Sequence, residues 1–144
     1  MARSDGRGVS LHLFQTIALS LVLTACASAT PLACASGTSP MTKYELFLGQ
    51  NIGTTGRVSD EDWRRFLADE VTPRYPDGFT VLEAAGQWRD PMGTIIAEQS
   101  RNLVVIVRDP VSELPKITAI RDTYKTRFRQ DAVLFLQSQI CAGF

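Results

Sequence analysis

The chain has 144 residues, with 15 lysine and arginine residues balanced by 15 aspartate and glutamate residues, so its formal net charge is zero. This balance gives no electrostatic reason to expect binding to nucleic acid or to an anionic membrane surface. The only histidine is His12, in an N-terminal stretch that is predicted below to be removed. Histidine-dependent catalytic triads and histidine metal sites are therefore excluded, as are a P-loop and a dinucleotide fingerprint. We predict no metal and no cofactor.

The N-terminus has the features of an export signal. Arg3 and Arg7 precede an apolar run over residues 13–23. This run is shorter than the about 20 apolar residues that a membrane-spanning helix needs. It ends in Leu23-Thr24-Ala25-Cys26, the pattern of a lipoprotein cleavage site. We therefore predict a signal peptide that is cut in front of Cys26 and acyl chains, such as palmitate, on that cysteine.

This interpretation predicts an exported protein that the N-terminal lipid attaches to a bacterial membrane. The signal peptide then covers residues 1–25, and Ala27 follows the acylated cysteine. In a diderm bacterium, the lack of aspartate at that position favours the outer membrane, facing the periplasm. Two alternatives stay open, namely a secreted protein cut at the small residues Ala25-Cys26-Ala27 and an uncleaved anchor.

Residues 26–42 are predicted to form a flexible tether, because they are rich in Ala, Ser, Thr, Gly and Pro. The folded domain is predicted over residues 43–144. Besides Cys26, the chain contains Cys34 and Cys141. A pair of cysteines in an oxidising compartment indicates a disulfide, here one that joins the two ends of the domain. Two separate thiols are the alternative.

The first half of the domain predicts a strand, a loop and a helix. The strand covers Lys43–Gly49, which is rich in aromatic and apolar residues, and the loop covers Gly53–Gly56. Ser59 is predicted to be the helix N-cap, with Asp62 as the fourth residue of a capping box. The apolar face of the helix comprises Trp63, Phe66, Leu67 and Val71.

The second half predicts two strands, a helix and a final strand. The strands cover Phe79–Trp88 and Thr94–Arg108, Ser112 is expected to cap the helix, and the last strand covers Ala132–Gln139. The apolar stripe of the helix comprises Ile117, Ile120, Tyr124 and Phe128. The order β-α-β-β-α-β predicts an α+β, ferredoxin-like split βαβ fold, with a four-stranded antiparallel sheet and two helices on one face. In this arrangement the last strand lies antiparallel beside the first.

Both faces of the predicted sheet contain apolar residues. Within 103–107, for example, all five residues are apolar, so both alternating sets are apolar. Two helices cover only one face, and large exposed apolar patches are uncommon on monomers. We therefore predict a homodimer that forms through the second face. A ligand groove, or a face less apolar than the pattern suggests, stays open.

Candidate catalytic residues are carboxylates. A hairpin near Pro91 is expected to bring Glu83 and Glu98 together on one face, where two carboxylates with different pKa values could serve as acid and base. Tyr44 would join them in a pocket under the sheet. The alternative is that both carboxylates are solvated or pair with Arg89 and Arg101.

A second candidate site is a small polar pocket for a sugar or an anion. Its expected lining residues are Arg74, Gln87, Trp88 and Arg89, because an exposed tryptophan beside an arginine suits such ligands. The alternative is that Trp88 packs at the sheet edge while Arg89 stays in solvent.

Several segments together resemble a bacterial family known only as domain of unknown function 3574. The matching segments are Tyr44–Asn51, Val58–Trp63, Val71–Val81, Gly86–Arg89 and Tyr124–Val133. Leu48 and Gln50 stand where the family pattern has an aromatic residue and an arginine. The resemblance implies an exported or lipid-anchored protein, which agrees with the prediction for Cys26, and it implies no known reaction.

These observations lead to three expectations about function. The first is a lipid-anchored extracytoplasmic domain of the cell envelope that acts by binding. The second is a small dimeric enzyme similar to α+β barrels, with a carboxylate-lined pocket under the sheet. The third is a structural envelope protein without a small ligand.

Overall fold

A computed structural model describes residues 32–144 of the chain. The predicted signal peptide and Cys26 lie outside these residues. Among the described residues, no helix combines the length and the apolar character that crossing a membrane requires. The elements, in chain order, are β1 (Ser39–Gly49), β2 (Asn51–Ile52), β3 (Gly56–Arg57), α1 (Asp60–Phe66), a π-helical segment (Leu67–Val71), β4 (Thr80–Arg89), β5 (Ile95–Val107), α2 (Pro110–Phe128) and β6 (Leu134–Ala142).

The four long strands form an antiparallel sheet in the order β4-β5-β1-β6. Leu46 in β1 lies opposite Leu103 on one side and Phe135 on the other, so the predicted antiparallel pairing of the last strand with the first is confirmed. The α+β class, the four-stranded antiparallel sheet and the two helices are confirmed as well. The chain order differs from the predicted one, because the small β2–β3 hairpin lies between β1 and α1.

One face of the sheet packs against the helices and forms the core. Phe66 of α1 and Tyr124 of α2 are buried, with their ring centroids 5.0 Å apart. Phe128 packs on Tyr124 at 4.7 Å. The buried strand residues that meet these helices are Tyr44, Leu46, Leu48, Leu103 and Val105. The core therefore lies between the helices and alternate residues of the two central strands.

Capping decides where both helices begin. The Ser59 hydroxyl accepts a hydrogen bond from the Asp62 backbone N–H at 3.1 Å, which confirms the predicted N-cap of α1. For α2 the predicted cap, Ser112, is wrong, because Asp109 accepts from the Val111 N–H at 3.0 Å. Pro110 then occupies the first helical position, which needs no N–H donor. The predicted apolar stripe of α2 is buried throughout, at Ile117, Ile120, Tyr124 and Phe128.

The start of β1 corrects the predicted tether. Residues 39–42 belong to β1, where Ser39 lies opposite Ala142 and Thr42 opposite Gln139. They are strand rather than flexible chain because β6 extends to Ala142 and supplies a ladder partner for each of them. The predicted disulfide is present between Cys34 and Cys141, whose Cα atoms are 5.5 Å apart. It joins the segment in front of β1 to the end of β6.

Candidate functional site

The sheet face opposite the helices carries a row of exposed apolar side chains, which we call the open face. In each strand the residues on this face alternate with those that pack against the helices. Large apolar side chains on it are 37–57% exposed. These side chains are Leu82, Trp88, Ile106, Leu134 and Leu136. They come from β4, β5 and β6, on both sides of β1, which contributes Lys43 and Glu45 to this face.

An ion pair lies within the open face. The Lys43 Nζ atom is 2.8 Å from Glu45 Oε2, and Asn102 Nδ2 donates to Glu45 Oε1 at 3.1 Å. The hydrogen bond from Lys43, and then that from Asn102, hold the pKa of Glu45 below its ordinary value. Asn102 is 6% exposed, and its Oδ1 atom has no hydrogen-bond donor among the described residues. The centre of the face therefore holds one cation, one anion and one unused acceptor.

The expected pairing of Glu83 with Glu98 is wrong. Every ladder pair between β4 and β5 joins two odd-numbered or two even-numbered residues, so Glu83 lies opposite Arg101 and Glu98 opposite Gly86. Side chains of opposite parity point to opposite faces of the sheet. Glu83 is therefore on the helix side and Glu98 on the open face, and they cannot act as an acid–base pair on one substrate atom.

The partner of Glu83 is Arg101, one of the two arginines expected as alternative partners of the carboxylates. Arg101 Nε lies 3.2 Å from Glu83 Oε1, and its Nη2 atom pairs with Asp60 at the start of α1. The guanidinium carbon is 5.0 Å from the Trp63 ring centroid. Its side chain is 11% exposed, and Nη1 is buried without an acceptor in the described part of the chain. This arrangement leaves one charged donor free beneath α1.

A second buried polar group surrounds the end of β1. The Tyr124 hydroxyl donates to the Gly49 carbonyl at 2.7 Å and accepts from Gln50 Nε2 at 3.3 Å. Gln50 is 1% exposed, and its Oε1 atom has no donor among residues 32–144. Burial raises the pKa of Tyr124, the Arg101 guanidinium lowers it, and the carboxylate of Glu98 raises it further. The hydroxyl therefore stays protonated at neutral pH.

Tyr44 is a core residue. It is 1% exposed, its ring stacks on Phe135 at 5.6 Å, and its hydroxyl donates to the Pro110 carbonyl at 2.9 Å. Burial, followed by the charges of Asp109 and Glu113, raises its pKa. The hydroxyl thus holds the start of α2 on the sheet, and neither predicted carboxylate is among its hydrogen-bond partners.

The four residues predicted to form a polar pocket have separate contacts. Arg74 Nη1 donates to the carbonyl and the carboxylate of Glu70, at 2.6 and 2.9 Å. Arg89 Nη1 donates to the Gly93 carbonyl at 2.8 Å, across the turn between β4 and β5. Trp88 is 43% exposed on the open face, whereas Gln87 is exposed on the other face of β4. None of the hydrogen bonds and ion pairs among the described residues joins Arg74 to the other three.

Sequence reasoning found the apolar second face but missed the buried polar groups at the end of the sheet. Nothing in the sequence around Gln50 indicates that this residue is buried. The only unusual feature of the position is that the family pattern has an arginine there. Tyr124 was assigned to the helix stripe, which is correct, but its hydroxyl contacts depend on strand positions far away in sequence. Within residues 32–144, no group of three or more His, Cys, Asp or Glu side chains could hold a metal ion.

Comparison with known proteins adds the fold and the family. A phage SAM lyase in complex with S-methyl-5′-thioadenosine is similar, with a TM-score of 0.56 and 15% identity, over 81% of this chain and 97% of that chain. A phage SAM lyase in the apo state has the same TM-score and 16% identity, over 78% of this chain and 91% of that chain. At such identities the likeness concerns the fold alone. No curated protein sequence matches this chain. Residues 43–144 match the family model described as Protein of unknown function (DUF3574), and the chain therefore belongs to that family.

Proposed function

We propose that this chain is an exported domain of the bacterial cell envelope, anchored by a lipid on Cys26, that acts by binding through its open face. The observation that carries the proposal is the row of exposed apolar side chains on the sheet face without helices. Patches of this kind mark interaction sites more often than free surface, because contact with water costs free energy in proportion to apolar area.

The occupant that we propose for the open face is a second copy of the chain. A two-fold axis that lies perpendicular to β1 and passes level with Tyr44 would set this strand antiparallel over its own copy, with Lys43 of one copy facing Glu45 of the other. The face is thus self-complementary in charge as well as apolar.

The dimer is tested by one substitution and a matched control. Leu136, on the open face, and Leu114, on α2, are 41% and 40% exposed. We expect Leu136→Asp to dissociate the dimer, because it buries an unpaired charge, and Leu114→Asp to leave it intact. Sedimentation equilibrium of the purified chain in density-matched detergent measures both. A wild-type monomer, or equal dissociation by both variants, contradicts the proposal.

The anchor is tested by fractionation of cells that express the native chain or a Cys26→Ala variant. Mass spectrometry of the mature N-terminus should find acylated Cys26 in the membrane fraction of the native chain and its loss in the variant. A soluble or uncleaved native product would remove the lipid from the proposal and leave the open face unaffected.

We also propose that the domain is a ferredoxin-like split βαβ fold, in which the β2–β3 hairpin is an insertion. The sheet order β4-β5-β1-β6 supports this assignment, because the two central strands are the first and third of the long strands. An experimental structure tests this assignment. Each helix should connect its two flanking long strands with the same handedness, and opposite handedness would contradict the assignment.

A second candidate function is binding or lysis of a sulfonium nucleoside, suggested by the phage SAM lyase of similar fold. Arg101 Nη1 is buried without a partner among residues 32–144, and its guanidinium could pair with the carboxylate of SAM, although not with the sulfonium, because both groups are cationic. Isothermal titration with SAM and with S-methyl-5′-thioadenosine tests this candidate, with Arg101→Met as the control for the guanidinium. Absence of binding heat with both compounds would eliminate this candidate function.

A further inference from the structure

The ends of β4 and β5 form a hairpin that continues past the rest of the sheet. The pairing of β1 with β5 stops at Gly49 opposite Ser100. Beyond that point β4 and β5 pair with each other for five more positions, from Ala85 opposite Gln99 to Arg89 opposite Ile95. We call residues 85–99 the arm. At its base, Asn51 Nδ2 donates to the Ala97 carbonyl at 3.3 Å.

The arm exposes large apolar side chains. Trp88 is 43% exposed and lies opposite Ile96, on the side of the arm that continues the open face. Ile95 is 48% exposed on the other side, and Met92 in the turn is 88% exposed. A two-stranded ribbon is marginally stable by itself in water, and this one gains little from burial within its own chain. Contact with another surface would supply the missing burial.

We infer that the arm packs on the second copy of the chain and completes the dimer interface, with Trp88 as its main contact. This inference rests on the proposed function, since it needs the open face to bind a second copy. Trp88 continues the same side of β4 as Leu82, so the arm and the open face form one surface. A tryptophan at the edge of an apolar face is the type of residue that dominates interface energies.

The area of the interface supports the contribution of the arm. Outside the arm, four strands about 4.8 Å apart and on average about eight residues long make a face of roughly 500 Å². Two such faces bury about 1,000 Å² together, below the standard range of about 1,200–2,000 Å². Each arm, about 17 Å long and two strands wide, offers roughly 170 Å² per side. Two arms and the surfaces that they cover add about 700 Å², which brings the dimer to about 1,700 Å², within the standard range.

The test compares two neighbouring isoleucines on opposite sides of the arm in the full chain. Ile96→Asp and Ile95→Asp impose the same loss of strand propensity and the same charge, but only Ile96 shares the side of Trp88. We expect Trp88→Ser and Ile96→Asp each to raise the dimer dissociation constant about tenfold or more, as for an interface residue that contributes substantially to binding. We expect Ile95→Asp to leave the constant unchanged. Sedimentation equilibrium gives the constants, and thermal unfolding verifies that each variant is folded.

The outcomes separate this inference from the proposed function. If Leu136→Asp dissociates the dimer while Trp88→Ser and Ile96→Asp do not, the arm inference is overturned and the open-face dimer stands. If Ile95→Asp weakens the dimer as much as Ile96→Asp, the effect comes from the arm fold rather than from a contact, and the inference is overturned. If the wild-type chain is a monomer, both proposals fail.

Discussion

The carboxylate of Glu98 lies directly over Gly49, where a Cβ atom would collide with it. The same Glu98 Oε1 atom accepts a hydrogen bond from the Asn51 backbone N–H at 3.2 Å. On the other side of the strand, the Tyr124 hydroxyl donates to the Gly49 carbonyl. The end of β1 is thus held between a carboxylate and a buried phenol, and a side chain at position 49 would displace the carboxylate.

Replacement of Gly49 by alanine should destabilise the domain. The added Cβ would displace the ends of two flexible side chains, Glu98 and Gln130, so the main cost is the lost hydrogen bond from the Asn51 N–H to Glu98, and we expect a loss of about 1 kcal/mol. Gly86, opposite Glu98 in the same sheet, is the control, because its added Cβ meets nothing within 4 Å. Urea unfolding of both variants gives the comparison. Equal losses at the two glycines would show that strand propensity, not the carboxylate, limits position 49.

Removal of the Tyr124 hydroxyl should cost about 1–3 kcal/mol, because Tyr124→Phe leaves the buried Gly49 carbonyl without its 2.7 Å donor. Tyr75→Phe is the matched control, since that buried hydroxyl reaches its acceptor, the Glu113 carbonyl, at only 3.5 Å. Its loss should be the smaller one in the same unfolding experiment. The reverse order would mean that the 2.7 Å hydrogen bond contributes no more than the long one.

Glu45 should make stability depend on pH in the acid range. Its pKa is lower in the folded chain than its ordinary value of 4.5, so its contribution is complete above pH 4.5 and is lost as the pH falls through the folded value. The difference in free energy of unfolding between wild type and Glu45→Gln should therefore shrink as the pH falls below 4.5. In a Lys43→Met background this change should be smaller, because the main cause of the shift is gone. A difference that stays constant with pH in both backgrounds would contradict the role of the ion pair.

Loss of the disulfide should destabilise the domain by about 2–4 kcal/mol, because the closed loop includes almost the whole fold. The measurement compares chemical unfolding of the oxidised chain with that of a Cys34→Ser, Cys141→Ser variant. Reductant should lower the stability of the first and leave the second unchanged. Intact mass without reductant checks the bond itself, since two titratable thiols at these cysteines would contradict it.

Periodic patterns in the sequence predicted the helices and long strands well. They could not predict features that depend on the register between strands. The spacing of Ile117, Ile120, Tyr124 and Phe128 defines one face of a helix whatever lies nearby, and all four are buried as predicted. Whether Glu83 and Glu98 share a face depends instead on which residues pair across the β4–β5 turn. A change of one residue in that turn reverses the answer, and no local pattern specifies it.

The candidate sites also include features that local patterns predict and contacts that depend on how the elements pack. The apolar second face could be inferred because alternation within each strand assigns residues to faces, and Leu136 and Ile106 are exposed there. The contacts of Arg101 with Asp60 and Trp63 join β5 to α1, more than 35 residues away in sequence, and arise only after the sheet and helix have packed. The cap of α2 was missed for a local reason, since Asp109 followed by Pro110 is itself a helix start that the choice of Ser112 overlooked.

The bond between Cys34 and Cys141 also determines how the domain bears mechanical load. A pull on the chain in front of Cys34 reaches the sheet at one end through two routes, along the backbone into β1 and across the bond into β6. β1 and β6 are hydrogen-bonded neighbours, so the tension loads both strands together instead of peeling β1 away from its partners one residue at a time. When the chain is pulled in front of Cys34, opening the sheet should therefore require much more force with the disulfide intact than with the disulfide reduced.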